Sequence, residues 1–464
     1  MGSSTGEGMY GDDLTTFMHL IEQADQLARV PVEVDPHLEL AAIVDRVCKG
    51  AGLRRALLFE RVRGAPLAVA ANLFGTPERA AWALGVTDPQ ELALRLTCAV
   101  TEYGGRTAAD AVRALSAAPQ WQPVLVSTPA WRELDHSGVG LDLLPPIQAW
   151  PGDGGSYLTL AQVYTRHPDG GPLNCGMYRM QCLGSHRAAI RCRPGSGAAV
   201  HLAAWHRRGR AMPVAVALGG PPMLTWAAGA PLPAEVEEAA FCGFLSGRRL
   251  EMSACIVSDL QVPASAEVVI EGMVEPAAVA AEGPFGNHTG GYDSDPAAPL
   301  LRVVAVHARA GAVCPWTLVG PPPMENLQLA RMTERLFFPL LRYDVPSVRQ
   351  LYMPAVGIMH RAALVTVAAD EDRPTAELAA QLRETLLLRG ARLLVIGVDD
   401  HAPEDVAAVF WRVLNRTDWQ RDLLVAGNCL TIDARRLPAG GAVCCDPAVL
   451  ARVLTRWRDY RIGP

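Results

Sequence analysis

The chain of 464 residues has a formal net charge of −6, and 50% of its residues are hydrophobic and 19% charged. This length exceeds one ordinary core and predicts a globular protein of about two to four domains. The negative charge argues against nucleic acid or an anionic membrane as the main partner. A membrane span is not predicted, because no apolar run reaches the roughly eighteen residues that a span requires.

Residue usage narrows the class of protein further. The N-terminal residues carry neither the basic nor the apolar segment of a secretory signal, which predicts a cytoplasmic protein. Eleven cysteines, an odd number without C-x-x-C pairs, favour reduced and mostly buried thiols over a disulfide framework. The only lysine is Lys49, so a mechanism through a Schiff-base lysine would have to use that residue.

Residues 1–118 have the pattern of a compact α/β unit. Apolar periodicity predicts helices over 14–29 and 35–52, with Asp35 and Gly50 as caps of the second helix. The segments "RRALLFERV" and "PLAVAANLFG" predict two short strands around a turn at 64–66. Another helical stretch follows near Glu91.

Residues 119–320 have a different sequence pattern from residues 1–118, because short β-strand segments alternate with turn residues. Examples are "MPVAVALGG", "AEVVIEGMVE" and "RVVAVHARAG". This spacing predicts an antiparallel barrel or sandwich, interrupted by one helix over 234–247.

Residues 321–464 begin with a helix and then alternate strand, helix, strand and helix. Such a series predicts a parallel sheet with right-handed crossovers. The chain as a whole is therefore predicted to be a multi-domain α/β protein with a β-rich centre.

The familiar motifs for nucleotides, zinc proteolysis and serine hydrolysis are absent from the sequence. Two polar segments remain in the first half of the β-rich region. In "NCGMYRMQ", Asn174 and Arg179 lie on either side of Gly176, and a bend there is needed to bring them to one face. In "IRCRPGSG", two arginines precede a glycine-rich turn, which is a plausible phosphate cradle and otherwise a charged hairpin.

The segment "EGPFGNHTGGY", residues 282–292, places four glycines and a proline around Glu282, Asn287 and His288. Such backbone can lie close to a ligand, although a decorated hairpin turn is the alternative interpretation. An arginine with a partly buried glutamate can handle a carboxylic acid substrate. Asparagine and glutamate oxygens, with a phosphate, suit Mg²⁺ or Mn²⁺. The residues alone thus predict an anionic cofactor and a carboxylate.

These segments, together with "LVGPPPMEN" and "FFPLLRYDVPSVRQLYMPAVGIMH", resemble the UbiD family of decarboxylases in order and spacing. "PVEVDPHLELAAIVDRV" is similar to the family's N-terminal domain, and "VIGVDDHAPEDVAAVFWRVLNRT" to its C-terminal domain. The resemblance covers residues 30 to 435, approximately. It implies an N-terminal α/β domain (1–118), a central split β-barrel flavin-binding domain (119–320), and a linker helix with a C-terminal α/β oligomerisation domain (321–464).

The resemblance also implies the cofactor and the partners. The cofactor is prenylated FMN, held with Mn²⁺ and often K⁺, and supplied by a separate flavin prenyltransferase. The substrate is a small carboxylic acid, and the chain assembles as a homodimer or a higher homo-oligomer.

The resemblance also implies the site residues, which are matched to the family motifs position by position. Arg179 resembles the catalytic arginine, Glu282 its ion-paired partner, and Asn174 and Glu238 the metal ligands, although Glu237 and Glu238 alone indicate a solvated helix face. The residues that resemble the flavin and phosphate contacts are Met177, Tyr178, Arg179, Arg191, Cys192, Arg193, Ser196 and Gly197.

Three positions depart from the family pattern. Asn287 stands where the family has an acidic proton donor, and an amide cannot donate that proton; Glu282, a bound water or His288 would have to do so. Gly197 stands where some members have a histidine ligand, with His201 and His186 near but out of register. The segment "GAVCCD" (441–446) replaces the family's C-terminal motif, so a tail that crosses between subunits is expected to be short or missing.

The expected function is non-oxidative decarboxylation of an α,β-unsaturated or (hetero)aromatic acid through a covalent cofactor–substrate adduct, CO₂ loss and protonation. Arg179 would position the carboxylate, Glu282 would hold Arg179 and shuttle a proton, and Asn287 would face the substrate. Two alternatives are a reversible aromatic-ring carboxylase and a flavin-binding homologue that has lost catalysis.

Overall fold

A computed structural model describes residues 12–50, 52, 54–358, 360–399, 402–436, 443 and 445–463. Residues 1–11, where no secretory signal is predicted, and three residues of "GAVCCD" lie outside this described part. Within it the strands form four sheets. No helix among the described residues is long and apolar enough to cross a membrane.

The N-terminal region is an α/β layer, as predicted. Its elements are α1 (Leu14–Gln23), β1 (Leu27–Val34), α2 (Glu39–Lys49), β2 (Ala56–Val62), β3 (Ala68–Ala71), α3 (Pro77–Ala83), α4 (Pro89–Tyr103) and α5 (Ala108–Ala117). β1 and β2 are parallel, and β3 is antiparallel to β2. A later strand, Val313–Trp316, pairs with β3 and completes this sheet.

Two helix predictions in this region were too long. The helix predicted over 14–29 ends at Gln23, because Asp25 adopts a positive φ of 54° that ends the helix before the valine-rich strand β1. The helix predicted over 35–52 begins only at Glu39, because the backbone N–H of His37 donates to Asp35 Oδ1 in a preceding turn. Asp35 is therefore not the cap; Leu38 holds that position without a side-chain hydrogen bond.

The central region is built from short strands, two long strands and three helices. Its elements are β4 (Val124–Leu125), β5 (Leu134–Asp135), β6 (Tyr157–Leu158), β7 (Gln162–Thr165), β8 (Asn174–Met177), β9 (Met180–Cys182), β10 (Arg187–Ile190), α6 (Gly197–Arg207), β11 (Met212–Gly219), α7 (Pro222–Ala227), α8 (Glu238–Ser246), β12 (Glu251–Ala254), β13 (Gln261–Pro263), β14 (Ala266–Gly286), β15 (Tyr292–Ala308) and β16 (Val313–Trp316).

The main sheet of this region has nine strands in the order β6-β9-β10-β15-β14-β11-β7-β8, with β5 paired to β15. Neighbouring strands are antiparallel, and the sheet curls into a half-barrel. β11 is buried along its whole length between β7 and β14, which explains its continuous apolar sequence. β14 and β15 form a long hairpin whose tip, residues 287–291, lies within "EGPFGNHTGGY".

The C-terminal region is an α/β layer. Its elements are α9 (Glu325–Asp344), β17 (Val348–Tyr352), β18 (Ala362–Val367), α10 (Thr375–Glu384), β19 (Leu393–Val398), α11 (Val406–Arg416), β20 (Leu423–Ala426), β21 (Cys429–Asp433) and α12 (Pro447–Thr455). β18, β19 and β21 are parallel, as predicted, and β17 and β20 pair antiparallel at the two edges.

Helix α9 joins the central and C-terminal regions through one apolar core. Its Leu336 and Phe337 belong to the same buried cluster as Phe241 of α8 and Leu394 of β19. The rings of Phe241 and Phe337 are 6.3 Å apart, centroid to centroid. This shared core packs the C-terminal layer against the central region.

Candidate active site

The sequence prediction that Arg179 and Glu282 act together corresponds to a bidentate ion pair. Arg179, in the turn after β8, donates from Nε to Glu282 Oε1 at 2.7 Å and from Nη2 to Oε2 at 2.8 Å. The Glu282 side chain is fully buried, and that of Arg179 is 13% exposed. The guanidinium carbon lies 4.3 Å from the ring centroid of Phe285. Among the described residues, Nη1 of Arg179 has no hydrogen-bond acceptor, so one edge of the guanidinium is free for a ligand.

The bend predicted at Gly176 is explained by its neighbour Tyr178. A Cβ on Gly176 would lie 2.2 Å from the Tyr178 ring, so only glycine lets that ring fold back over the strand. The chain turns between β8 and β9 at this point, which aims Arg179 at β14.

A wider network of charges surrounds the pair. Nη2 of Arg191 lies 3.4 Å from Asp293 Oδ2, and Arg191 also forms an ion pair with Asp295. Asp293 Oδ2 lies 3.5 Å from Nη2 of Arg179, and Nε of Arg191 lies 4.0 Å from Glu282 Oε2. Two arginines and three carboxylates thus hold each other across β10, β14 and β15, so Arg191 supports the pair instead of reaching freely toward a phosphate.

Asn287 opens the turn at the tip of the hairpin. Its Oδ1 accepts hydrogen bonds from the backbone N–H of Thr289 at 2.8 Å and from Thr289 Oγ1 at 2.7 Å. Its backbone carbonyl accepts from the N–H of Gly290 at 3.0 Å. Asn287 also lines a small pocket with Trp150 and Tyr292. The amide oxygen therefore stabilises the turn, and the amide NH₂ group is the part that remains available to a ligand.

The metal ligands implied by the resemblance, Asn174 and Glu238, come from β8 and α8. The backbone N–H of Cys175 donates to Glu238 Oε2 at 2.8 Å, which places the carboxylate beside β8, and burial raises the pKa of Glu238 to about 8. Asn174 Nδ2 donates to Thr165 Oγ1 at 3.4 Å. Among the described residues, no group of three or more His, Cys, Asp and Glu side chains could hold a metal ion.

Gly197 is explained by its contact with Asn174. A Cβ at residue 197 would lie 2.0 Å from Asn174 Oδ1, so the amide occupies the space that a side chain there would need. His201, one helical turn further along α6, has its Nδ1 at 2.9 Å from Thr165 Oγ1. Burial, followed by the charge of His167, lowers the pKa of His201 to about 4. Asn174 and His201 thus meet at the hydroxyl of Thr165.

The phosphate residues implied by the resemblance lie at the N-terminus of α6. Ser196 caps the helix, with its Oγ accepting from the backbone N–H of Ala199 at 3.4 Å. Tyr178 Oη accepts from the backbone N–H of Ala198 at 3.3 Å. Free N–H groups at the start of a helix favour anions. Two of these are used by hydroxyl groups here, which a bound phosphate would have to displace or share.

The other two residues of "RCR" differ in exposure. Arg193 is exposed. Cys192 is half-buried, and burial raises the pKa of its thiol to about 12, so it is not a reactive thiolate.

Met177, two residues before Arg179, lines a large cleft. The cleft has a cavity volume of about 370 Å³ and a mainly apolar lining, and it lies between β8, α7, α9 and the segment before β19. The lining residues that matter below are Met177, Trp226, Asn326, Leu329, His360 and Arg389. A cleft of this size and character is typical of cofactor and small-molecule sites.

Sequence reasoning missed Arg389 and His360. Arg389 is exposed, its Nη2 donates to the backbone carbonyl of Leu232 at 3.3 Å, and desolvation of its inner part lowers its pKa. In the sequence it stands at the end of the helix-like segment "TAELAAQLRETLLLRG" (375–390), where an arginine is an ordinary C-terminal residue. Only the fold, which brings residues 360 and 386–390 to the cleft, identifies these two.

Comparison with known proteins decides the family. Three family models match in order: the 3-octaprenyl-4-hydroxybenzoate carboxy-lyase N-terminal domain over residues 18–96, the Rift-related domain over 125–322 and the C-terminal domain over 327–442. The chain belongs to the UbiD family. Members of this family are carboxy-lyases, so the predicted family and enzyme class are confirmed.

Two curated relatives match this UbiD chain over 89% of its length and 86% of theirs. One, from Aquifex aeolicus, is 32% identical over 421 residues; the other, from Archaeoglobus fulgidus, is 33% identical over 418 residues. Both are described as uncharacterized proteins. They support membership of the family and carry no information on a substrate.

Solved structures support the fold. The vanillic acid decarboxylase of Sedimentibacter hydroxybenzoicus in closed form has a TM-score of 0.83 at 22% identity, covering 98% of this chain and 99% of its own. An evolved dimeric form of the UbiD-class enzyme HmfF from Pelotomaculum thermopropionicum, in complex with prFMN, has a TM-score of 0.75 at 26% identity, covering 95% and 98%. HmfF in complex with FMN has a TM-score of 0.75 at 25% identity, covering 96% and 100%. The multi-domain α/β prediction with a curled central sheet is confirmed at this level.

Proposed function

We propose that this UbiD family member is a prenylated-FMN-dependent decarboxylase of an α,β-unsaturated or (hetero)aromatic carboxylic acid. The observation that carries the proposal is the buried Arg179–Glu282 pair, which leaves Nη1 of Arg179 free two residues along the chain from Met177, a residue that lines a large apolar cleft. A guanidinium fixed on two of its nitrogens is suited to hold a substrate carboxylate on the third. HmfF, which shares the fold, has been solved with prFMN and with FMN.

The cleft fits a flavin in size and chemistry. Met177, Trp226 and Leu329 supply apolar surface for a ring system, and Arg389 supplies a cation for a phosphate. When bound, prenylated FMN supplies an electron sink for the pair of electrons that the departing carboxylate leaves behind. The protein then has to bind the acid, orient it and control the proton.

The metal donors fit Mn²⁺ in kind. The amide oxygen of Asn174 and the carboxylate of Glu238 are hard oxygen ligands, which Mn²⁺ and Mg²⁺ prefer. With Gly197 in place of a histidine, the remaining ligands would come from phosphate and water. The family resemblance also implies K⁺ as a second ion that helps to hold the cofactor.

The chain's own residues define the steps that the protein controls. Arg179 binds and orients the carboxylate, and Phe285 and the buried Glu282 keep the guanidinium in one position. After CO₂ leaves, the carbon takes up a proton. Arg179 and Arg191 both lie close to Glu282, and we assign Glu282 the relay of this proton from water. Asn287 would contribute its NH₂ group as a hydrogen-bond donor to the substrate, not as an acid.

Self-association and cofactor supply are part of the same proposal. Exposed apolar side chains concentrate in the C-terminal region, including Trp411 and Leu414 of α11, Val425 of β20 and Leu454 of α12. Exposed apolar surface in this amount is typical of a region that takes part in protein–protein contacts. We infer a homodimer or a larger homo-oligomer, and a flavin prenyltransferase as the source of the cofactor.

The test is CO₂ release from a panel of cinnamic, dienoic, benzoic and heteroaromatic acids, with protein loaded with prenylated FMN. We expect at least one acid to react and Arg179→Gln to lower kcat by about a hundredfold or more, the scale for a lost electrostatic or positioning contact. Arg187→Gln, an exposed arginine on β10, is the matched control. Equal rates for Arg179→Gln and wild type would contradict the assigned role.

A further inference from the structure

The hydroxyl of Thr165 joins a proposed metal ligand to a histidine that the decarboxylation site does not use. Thr165 ends β7 and pairs in register with Asn174, the first residue of β8. His201 comes from α6, one helical turn after Gly197. Three separate elements of the fold therefore meet at this hydroxyl, and Thr165 itself is fully buried.

The two hydrogen bonds at the Thr165 hydroxyl run in one direction. Asn174 Nδ2 donates to Thr165 Oγ1 at 3.4 Å, and His201 Nδ1 lies 2.9 Å from the same oxygen. The buried O–H of Thr165 has no other acceptor among the described residues, so it donates to His201 Nδ1. A neutral imidazole that accepts at Nδ1 carries its proton on Nε2.

This direction fixes which end of the Asn174 amide faces α6. A Cβ added to Gly197 would lie 2.0 Å from Asn174 Oδ1 and 3.4 Å from Asn174 Nδ2. The amide oxygen therefore points toward the glycine, while the amide nitrogen is held by Thr165. A cation binds the oxygen of an amide and is repelled by its NH₂ group, so only this orientation makes Asn174 a ligand.

The imidazole of His201 is held in turn by a second histidine. The rings of His167 and His201 pack edge to face, with their centroids 5.9 Å apart. Nδ1 of His167 accepts from the backbone N–H of Asp169 at 3.3 Å, which fixes the His167 ring. The acceptor nitrogen of His201 is therefore kept at the Thr165 hydroxyl by packing as well as by hydrogen bonding.

We propose, resting on the decarboxylase function above, that His201 and Thr165 are positioning residues that turn the amide oxygen of Asn174 toward the metal. His201 accepts the hydrogen of Thr165, Thr165 accepts from the amide nitrogen, and the amide oxygen is left to bind Mn²⁺. His201 acts through two other side chains and is not itself a ligand. Partners of this kind orient the ligands of many metal sites.

The proposal gives His201 a role despite its position one turn away from the histidine that some family members have. Gly197 leaves the space that the Asn174 amide occupies, and His201 determines how that amide is turned. A direct histidine ligand is thus exchanged for a histidine that orients another ligand.

The test is Mn²⁺ binding to protein loaded with FMN, which carries the same phosphate as the prenylated cofactor, measured by the EPR signal of free Mn²⁺. We expect Thr165→Val and His201→Leu each to raise the Kd about ten- to hundredfold, the scale for a lost partner of a metal ligand. Thr165→Ser keeps the hydroxyl and His201→Asn keeps an acceptor at the place of Nδ1, so both should stay within about threefold of wild type. The control is Thr101→Val, an exposed threonine whose hydroxyl donates within its own helix.

Two further readouts separate positioning from a general effect on folding. The double variant of Thr165→Val and His201→Leu should bind Mn²⁺ no more weakly than Thr165→Val alone, because both changes act through one hydroxyl. Pulsed EPR of the bound Mn²⁺ should show no coupling to a histidine nitrogen.

The proposal is overturned if wild-type protein binds no Mn²⁺, or if Thr165→Val or His201→Leu retains wild-type affinity. Losses that add in the double variant would also overturn it, because the two residues would then act separately. A nitrogen coupling that disappears in His201→Leu would make His201 a ligand instead. CO₂ release is scored separately: if no acid reacts but Mn²⁺ binding responds as expected, the decarboxylase function fails and the positioning roles stand.

Discussion

Glu282→Gln is the substitution that most sharply probes the buried ion pair. Glutamine can accept from one N–H of Arg179, but its own NH₂ group then opposes the other, so one of two charge-assisted hydrogen bonds is lost. Such a bond contributes about 1.5–3 kcal/mol. The Arg179 charge also loses its closest partner, although Asp293 remains at 3.5 Å. We therefore expect a loss of about 2–4 kcal/mol, somewhat less than the roughly 3–5 kcal/mol for a fully stranded buried charge.

The assay for Glu282→Gln combines urea unfolding with CO₂ release. The matched control is Glu275→Gln on the same strand, since Glu275 pairs with Arg302 at 3.4 Å with both side chains about half exposed. That pair should contribute less than about 1 kcal/mol. We expect kcat of Glu282→Gln to fall by about a hundredfold, because Arg179 is no longer held in one position. Full turnover, or a stability no lower than that of the control, would refute the reasoning.

Three further predictions concern neighbouring features of the site. Gly197→Ala should displace the Asn174 amide and weaken manganese binding about ten- to hundredfold. Metal analysis compares it with the control Gly138→Ala, where nothing lies within 4 Å of an added Cβ. Equal metal contents in the two variants would contradict the prediction. Asn287→Asp keeps both acceptor bonds in the turn, so its free energy of unfolding in urea should be within about 0.5 kcal/mol of wild type. The free energy of unfolding of Asn287→Leu should be lower by about 1–2 kcal/mol. Equal losses in the two variants would mean that the side-chain oxygen of Asn287 does not hold the turn. The pKa of His288 is about 4 when folded, below its ordinary value of about 6.5, so the unfolded chain binds the extra proton and stability is lost as the pH falls from 6.5 to 4. Urea midpoints across that range should fall less in His288→Asn, and parallel pH profiles would argue against a neutral buried imidazole.

Several features of the site could be predicted because glycine and charge patterns are local signals. The bend at Gly176 was expected from its neighbours, whereas the pairing of Arg179 with Glu282 was implied by the family resemblance; the two residues are 103 positions apart in the chain. The core strands of the C-terminal sheet were likewise expected, since alternating strands and helices leave few topologies.

Other features were not predictable, because they depend on contacts between distant segments. The helix predicted over 14–29 includes the first three residues of the strand Leu27–Val34, whose neighbour in the sheet lies beyond the next helix. Glycine and proline in "EGPFG" suggested a loop, yet this segment is the end of the 21-residue strand β14, supported by pairing with β15. Arg389 and His360 reach the cleft only through the packing of α9.

The oligomer and the metal site could not be derived from this chain alone, because each needs a component from outside it. An interface needs a second copy, and the exposed side chains of α11 and β20 show only where apolar surface is available. A manganese site needs ligands beyond Asn174 and Glu238, which the cofactor and water would supply. Light scattering in solution and metal content of the loaded protein address these two points.

The measurement that tests the proposed function most directly is the mass of the cofactor bound to protein produced together with a flavin prenyltransferase, followed by CO₂ release on addition of the acid panel. We predict a bound species heavier than FMN by one prenyl unit, manganese alongside it, and CO₂ from at least one unsaturated or aromatic acid. Protein that binds only plain FMN or no flavin, and releases no CO₂ from any acid, would contradict the proposal.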